Sequence, residues 1–512
     1  MKRELLSPTQ MASCDAYTIE AGTPGPVLME RAGEAIADVA KDMLPAAAAV
    51  IVLTGPGNNG GDGYVVARLL REYGANVAVF ALDIAATSGD AVWALERWGG
   101  KVEAAEVLLE KGEPNETHLV IDALFGAGLK RALSGAADDL ASLVNTAKIP
   151  VLAVDLPSGL DGRTGRPLGR VIQADRTVTF HRLKPGHVLY PGHDLCGEVT
   201  LADIGLDERA ISASGYTASL TGPYLAKGRS ELSPSGHKYT RGHALVVGGL
   251  PDKAGAGFLA ATAALRAGAG LVTFAARTST VAESVGLYPS LMRATCDNQK
   301  DLSALLANPK VSACVLGPGL PPDETTRQLV YAALDASVSL LLDAGALTAF
   351  AGLSSGLFAR IKERDHPVVV TPHEGEFTRL LGHSEGTSKI ERCEWAARQS
   401  GATVVLKGPD TVIAHPSGAT GTSFINANAP PWLATAGSGD VLAGIIVGLL
   451  AGLQRQGGRN VAEAAALGAW LHGDAARRAG PGMIASDLEM ALRGTMAALS
   501  STDFTPLEAH QG

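Results

Sequence analysis

The sequence predicts an α/β protein of two domains, each built on a parallel sheet. Three observations carry this. Short apolar runs alternate with stretches of helical spacing, the pattern of strands joined by crossover helices. A chain of 512 residues exceeds one typical domain. The alternation lapses in a Ser/Gly/Pro-rich segment, residues 212–238, and then restarts. Residues 1–215 are the first expected domain, 216–238 a linker and domain entry, and 239–502 the second.

In the first domain Thr9–Ala21 and Pro26–Leu44 read as helices, the second with Leu28, Ala32, Ala35, Ile36 and Val39 on one apolar face. Val50–Leu53 is a buried strand. The loop GPGNNGGDG, Gly55–Gly63, then opens a helix to Tyr73. Val77–Leu82, Leu119–Asp122 and Val151–Asp155 are further strands, and the last two end on an Asp. Ligands of open α/β sheets bind at such carboxyl ends. In the second domain Ala244–Val247, Leu271–Phe274, Ala313–Leu316, Leu340–Asp343, Val368–Thr371 and Thr403–Lys407 read as strands. Gly257–Ala267, Val441–Leu453 and Val461–Ala476 read as helices. A second glycine-rich loop, TAGSGDVLAG at Thr435–Gly444, precedes the penultimate one. The tail after Leu499 is expected to fray.

Composition narrows the function. Formal charge is −9 with no long Lys/Arg cluster, which argues against a nucleic-acid partner. The 61 glycines follow no strict period, which excludes collagen and favours many tight turns. Cys14, Cys196, Cys296, Cys314 and Cys393 form no CxxC pair and read as reduced thiols. The start, MKRELLSPTQ, lacks a signal-peptide core, and apolar runs such as 46–53 are too short to span a bilayer. A cytoplasmic protein without a membrane partner is expected.

The first glycine loop is not the GxGxxG dinucleotide fingerprint, because Asn58, Asn59 and Asp62 sit inside it. Glycines there allow a tight turn, and N–H groups at a helix start attract anions. Simple helix capping is the plainer alternative, but capping needs one such residue rather than three. Asp122 is followed by FGAGLKR, and Asp155 by LPSGLDG. Asp155 has no evident capping duty and suits a general base. Asn59, Asp122 and Ser158 carry oxygens that suit a monovalent or divalent cation. In TFHRLKPG, ending at Gly186, Lys184 suits phosphate or loop contacts, while His181 and His187 are as readily ordinary polar residues.

LMERAG (Leu28–Gly33), GNNGGDG, DALFGAGLKR (Asp122–Arg131) and DLPSGLDG (Asp155–Gly162) resemble the NAD(P)HX epimerase family. The resemblance implies a Rossmann-like, three-layer fold that interconverts the R and S forms of hydrated NADH and NADPH. It implies K+ bound by Asn59, Asp122 and Ser158. It also implies hydrate contacts from Asn58, Asn59, Gly60, Gly61 and Asp62, and from Gly126, Ala127, Gly128, Leu129, Lys130, Arg131 and Ala132. Asp155 would contact the hydrate and transfer the proton.

In the second loop Ala436–Gly439 would aim backbone N–H groups inward while Asp440 opens a helix. That pairing suits phosphoryl transfer, with N–H groups on the phosphate and the Asp taking a hydroxyl proton. A glycine turn before an amphipathic helix is the plainer alternative. KGPDT (Lys407–Thr411), TPHEGEF (Thr371–Phe377) and GPGL (Gly317–Leu320) each follow a strand and describe one cleft. His472, in WLHGDAA, is expected to pack or cap. Zinc motifs such as HExxH are absent.

With HKYTRGHALVVGG (His237–Gly249) and GAGFLAATAALRAGAGLVT (Gly255–Thr273), these segments resemble the ribokinase-like NAD(P)HX dehydratases, the usual fusion partner of the epimerase. The two resemblances cover nearly the whole chain in the expected order. They imply nucleotide contacts from Lys407, Gly408, Pro409, Asp410, Thr411 and Gly439. Hydrate contacts would come from Ala256, Gly319, His373 and Asp440, with Asp440 catalytic. They imply ADP as co-substrate, with ATP the alternative, Mg2+, and a homo-oligomer. Three positions depart from the family pattern: Gly345 in DAGAL, Leu250, and NANAPP at Asn426–Pro431. Two rival readings are a small-molecule kinase in the second domain and a nucleotide-binding protein with one inactive site.

Overall fold

The computed structural model describes residues 3–500 apart from 46, 113–115, 228–234, 285, 383–387, 417–422 and 456–459. Part of the expected linker, 228–234, and the tail 501–512 lie outside the described residues. The chain divides into two compact units between Ala218 and Ser219.

The first unit runs β1 (Glu4–Leu5), α1 (Pro8–Glu20), α2 (Gly25–Asp42), β2 (Ala49–Thr54), α3 (Asn58–Tyr73), β3 (Asn76–Ala81), α4 (Asp90–Trp98), β4 (Val102–Ala104) and α5 (Ala105–Lys111). It continues with β5 (Leu119–Ala123), α6 (Ala136–Ala147), β6 (Val151–Val154), β7 (Arg176–Phe180), α7 (Gly192–Cys196), β8 (Glu198–Ala202) and α8 (Arg209–Ala213). The sheet order is β4-β3-β2-β5-β6-β7-β8 with every pairing parallel. The chain leaves β2 toward one edge and returns to β5 on the other side. The carboxyl ends of β2 and β5 therefore flank a topological switch point, where open sheets form a crevice. Apolar residues of α2 and α3 pack one sheet face, and those of α5 and α6 the other.

The second unit runs β9 (Ala218–Leu220), β10 (His243–Val247), α9 (Ala254–Arg266), β11 (Leu271–Ala276), α10 (Thr278–Glu283), β12 (Met292–Thr295), α11 (Gln299–Leu306), β13 (Ala313–Leu316), α12 (Glu324–Leu334) and β14 (Ser339–Leu342). Next come α13 (Ala344–Thr348), α14 (Ser354–Lys362), β15 (Val368–Val370), α15 (Glu374–Leu381), α16 (Lys389–Ser400), β16 (Thr403–Leu406), β17 (Thr411–Ala414) and β18 (Ser423–Asn426). The helices α17 (Ser438–Arg455), α18 (Val461–Ala479) and α19 (Asp487–Ser500) close the unit. Its strands lie in the order β9-β18-β17-β16-β15-β14-β13-β10-β11-β12.

Two features depart from the sequence reading. β17 pairs antiparallel with both β16 and β18, and only Lys407–Asp410 joins β16 to β17. A connection that short closes a hairpin and cannot make a parallel crossover. The expected linker is also partly built: β9 and the turn Pro223–Ala226 belong to the second unit, with Leu225 and Ala226 in its core.

Among the described residues one helix, Ser438–Arg455, is long and apolar enough to cross a membrane by composition, but 61% of it is buried inside the unit. Glycine explains how. A Cβ at Gly444 would stand 2.2 Å from the Ala260 carbonyl, and one at Gly448 2.6 Å from that of Ala264. Bare backbone lets α17 lie directly on α9, and both are core elements.

Candidate active sites

The first glycine loop makes the start of α3. Gly57 occupies the cap position, and no side chain caps the helix. Asn58, Asn59 and Asp62 are thus free of the capping duty that was their plainer explanation. A Cβ at Gly60 would stand 1.9 Å from the Gly55 carbonyl, so only glycine permits this turn. A Cβ at Gly61 would meet the end of the Met29 side chain at 2.6 Å.

Beside the loop is a cavity of about 670 Å³. Asn58, Asn59 and Asp62 line it from α3, Gly126 to Arg131 from the loop after β5, and Asp155 and Lys184 from beyond β6 and β7. Gly60 and Gly61 pack behind this wall. Ala132 borders a smaller neighbouring cavity of about 240 Å³.

Asp155 falls one residue past β6, with φ +64°. Left-handed backbone is costly for a residue with a Cβ and recurs at functional sites. Its N–H donates to the Val178 carbonyl at 2.8 Å, and the His187 ring meets its carbonyl at 2.7 Å. The carboxylate accepts from Lys184 Nζ at 2.6 Å, Thr179 Oγ1 at 2.9 Å and the Ala127 N–H at 3.1 Å. Burial opposes its charge, but the Lys184 ammonium and these donors prevail and hold its pKa at about 2. Lys184 is itself 1% exposed, so the pair is a fixed, desolvated element. Burial keeps His187 neutral, with its pKa down at about 4.

Two other acids behave in the opposite way. Burial pushes Asp62 well above the carboxylate range, and the charges of Asp155 and Asp15 add to it. Burial likewise pushes Asp15 up to about 6. The sequence reading missed Asp15. The available signal was an acid at helical spacing between Met11 and Ile19, on a face that otherwise reads as apolar.

Asp122 and Ser158 are both fully buried. Asp122 Oδ1 accepts from Ser158 Oγ at 2.6 Å, and Oδ2 from the Ser158 N–H at 2.7 Å. Burial pushes Asp122 up to about 6 despite these donors. Asn59 has a buried amide nitrogen without a partner, and its Oδ1 lies close enough to Gly126 to bar a side chain there. Carboxylate, hydroxyl and amide oxygens are the donor set of a hard cation, and a positive charge is what a buried Asp122 lacks.

In the second unit, strand ends again supply the charge. Asp343 follows β14, is 1% exposed, and pairs with Lys407 Nζ at 2.7 Å. Glu376 adds a second carboxylate 3.7 Å from Lys407. Burial pushes Asp440, in the first turn of α17, up to about 6, with Asp343 raising it and Lys407 opposing. A Cβ at Gly439 would lie 3.7 Å from Lys407 Nζ, so the glycine loop and the lysine adjoin.

His373 caps α15, its ring accepting from the Gly375 and Glu376 N–H groups while Glu376 answers its N–H. Gly319, at φ +73°, lies against Gly249. Ala256 is in the first turn of α9. Gly408 and Thr411 bond each other across the hairpin turn, Asp410 pairs with Lys389, and Pro409 is exposed. His472 is buried in α18 against the Ser438 backbone, which fits the packing expected of it, and burial brings its pKa down to about 4.

An acid-lined cavity with a fixed lysine–aspartate pair, and a glycine-opened helix with an acid beside a second such pair, define an α/β enzyme with two separate active sites. Residues 244–492 match the family model described as NAD(P)H-hydrate dehydratase, and residues 25–186 that of the YjeF-related protein N-terminus. The chain is 39% identical over 502 residues to the bifunctional NAD(P)H-hydrate repair enzyme of Moorella thermoacetica, covering 91% of each chain. It is 35% identical over 477 residues to that of Escherichia coli, covering 90% of this chain and 87% of the relative. The crystal structure of the ADP/ATP-dependent NAD(P)H-hydrate dehydratase from Bacillus subtilis, co-crystallised with ATP and Mg2+, is also similar. It is 29% identical with a TM-score of 0.45, covering 52% of this chain and 94% of that one. The chain belongs to the family of bifunctional NAD(P)H-hydrate repair enzymes.

Proposed function

We propose that the first unit interconverts the R and S forms of hydrated NADH and NADPH, and that the second returns the S form to the reduced dinucleotide at the expense of ADP, giving AMP and phosphate. The observation that carries this reading is the two separate acid-bearing sites on one chain of the repair-enzyme family. In the first, Asn58, Asn59, Asp62, the loop Gly126–Arg131 and Asp155 hold the hydrate. K+ is held by Asn59, Asp122 and Ser158, where the buried Asp122 carboxylate supports a cation. When bound, it neutralises that carboxylate and fixes the two loops around it.

In the second unit Asp440 takes the proton of the C6 hydroxyl as that oxygen attacks the β-phosphorus of ADP. Phosphate then leaves from C6, and loss of the neighbouring proton restores the ring double bond. Phosphate departs far more readily than hydroxide, which is why a kinase-like fold serves a dehydration. Backbone N–H groups of Ala436–Gly439 face the transferred phosphoryl group. Lys407 to Thr411 and Gly439 contact the nucleotide, and Ala256, Gly319 and His373 the hydrate. Among the described residues no cluster of three or more His, Cys, Asp or Glu is placed to cage a metal. Mg2+ would therefore be held through the nucleotide's own phosphates.

Incubating the protein with NADH hydrate plus ADP, ATP or neither tests this. Epimer exchange without nucleotide, and NADH recovery with ADP in preference to ATP, are expected. A stable phosphomonoester without NADH would instead mark a small-molecule kinase. Domain limits of 1–215 and 239–502, cytoplasmic residence and a homo-oligomer belong to the same reading. Sedimentation tests the last.

A further inference from the structure

The first cavity holds more acid than that reading uses. Asp15 stands on α1 one turn from Met11 and one turn from Ile19, and all three line the cavity. Asp62 enters the same cavity from α3 and Asp155 from beyond β6. Asp155 takes Lys184, Thr179 and the Ala127 N–H. Among the described residues no protein group bonds the side chain of Asp15 or Asp62. Two half-buried carboxyl groups on different helices thus face one space without partners. Both carboxyl groups are therefore open to a ligand in the cavity.

We propose that Asp15 is a catalytic residue of the epimerase, exchanging protons with the C6 hydroxyl of the hydrated ring together with Asp62, while Asp155 is held by Lys184 as an anchor. The inference rests on the epimerase reading. One carboxyl gives its proton to the C6 hydroxyl oxygen. The C6–O bond breaks, its electron pair leaves with water, and the N1 lone pair closes a C6=N1 double bond. The ring is now planar at C6. Water adds from the opposite face and yields a proton to the other, ionised carboxyl. The two acids have exchanged one proton, the substrate has inverted, and nothing is oxidised or reduced.

The charges suit these roles. Burial pushes Asp15 to about 6, with Asp155 adding and Lys184 opposing. Burial raises Asp62 as well, with the charges of Asp155 and Asp15 adding to it. Asp155, at about 2, is too weak a base to serve. Asp90 from α4 and Lys130 and Arg131 from the loop after β5 also border the cavity, and neutral His187 backs Lys184.

The test uses the full chain and both NADHX epimers, with the uncatalysed exchange subtracted. Absence of exchange by the wild type defeats the epimerase reading itself. Given exchange, Asp15→Asn is expected to lower kcat about a hundredfold with KM little changed. The step in wild-type rate near pH 6 is expected to vanish with it. Asp15→Glu keeps the carboxyl at a greater packing cost and is expected to retain at least about a tenth of kcat. NADH recovery from the S form reports an intact chain in each variant. A kcat within threefold for Asp15→Asn, a change confined to KM, or equal losses in the Asn and Glu variants overturns the proposal.

Discussion

Asp440→Asn is expected to make the second unit more stable and unable to recover NADH. The structure supplies the magnitude. Burial moves the Asp440 carboxyl from 3.8 to about 6, with Asp343 contributing and Lys407 opposing. That difference is worth about 3 kcal/mol of resistance to ionisation. Partial solvent contact screens it, and about 1–2 kcal/mol is the expected net gain. The sign follows from linkage. The folded value lies above the unfolded one, so the favourable contribution is complete below about 4. It is lost as pH rises through about 6, and above that the folded protein carries the whole cost of the charge. Asparagine has no charge to bury. The variant's advantage is therefore near zero at pH 4 and full at pH 8. Urea unfolding at both pH values reads the stability, and absorbance recovery from the S hydrate with ADP reads the activity. Equal unfolding midpoints at pH 8 would refute the burial argument, and wild-type recovery would refute the role as base.

Lys407→Met strands the 1%-exposed Asp343 and should cost the second unit about 3–5 kcal/mol by urea unfolding. Lys184→Met does the same to Asp155 in the first unit. Since the folded Asp155 value lies below the unfolded one, the wild-type advantage should be full above about 4 and fade as pH falls toward 2, read by acid titration of the melting temperature. At Gly345 a Cβ would stand 2.0 Å from the Leu320 carbonyl, so Gly345→Ala should destabilise by about 2 kcal/mol and slow dehydration, measured by melting and by recovery rate. All five cysteines are buried and free, so reductant should leave the melting temperature unchanged.

Element types were legible where burial on both faces writes a continuous apolar run. Val151–Val154 and Ala313–Leu316 are such strands, and each is wholly buried. Glycine loops were legible because their chemistry is local: a turn at Gly60 or an approach at Gly439 leaves its mark in the residue itself. The hairpin β16–β17 was not, because antiparallel and parallel strands carry the same apolar signal and only the brevity of Lys407–Asp410 separates them. The segment at 218–226 read as linker because its order comes from packing against the second unit's core, which composition does not record.

What the sequence by itself determined is the inventory: two α/β units, a glycine-opened helix in each, and Asp155 and Asp440 beside strand or helix ends. What only the tertiary structure decided is how each acid behaves. Asp155 and Asp15 are the same residue type, yet one sits near 2 and the other near 6. Lys184 lies 29 residues from Asp155 along the chain but 2.6 Å away in space, and Asp15 has no such neighbour. Proton affinity depends on solvent lost and charges gained within a few ångströms. Folding alone sets both.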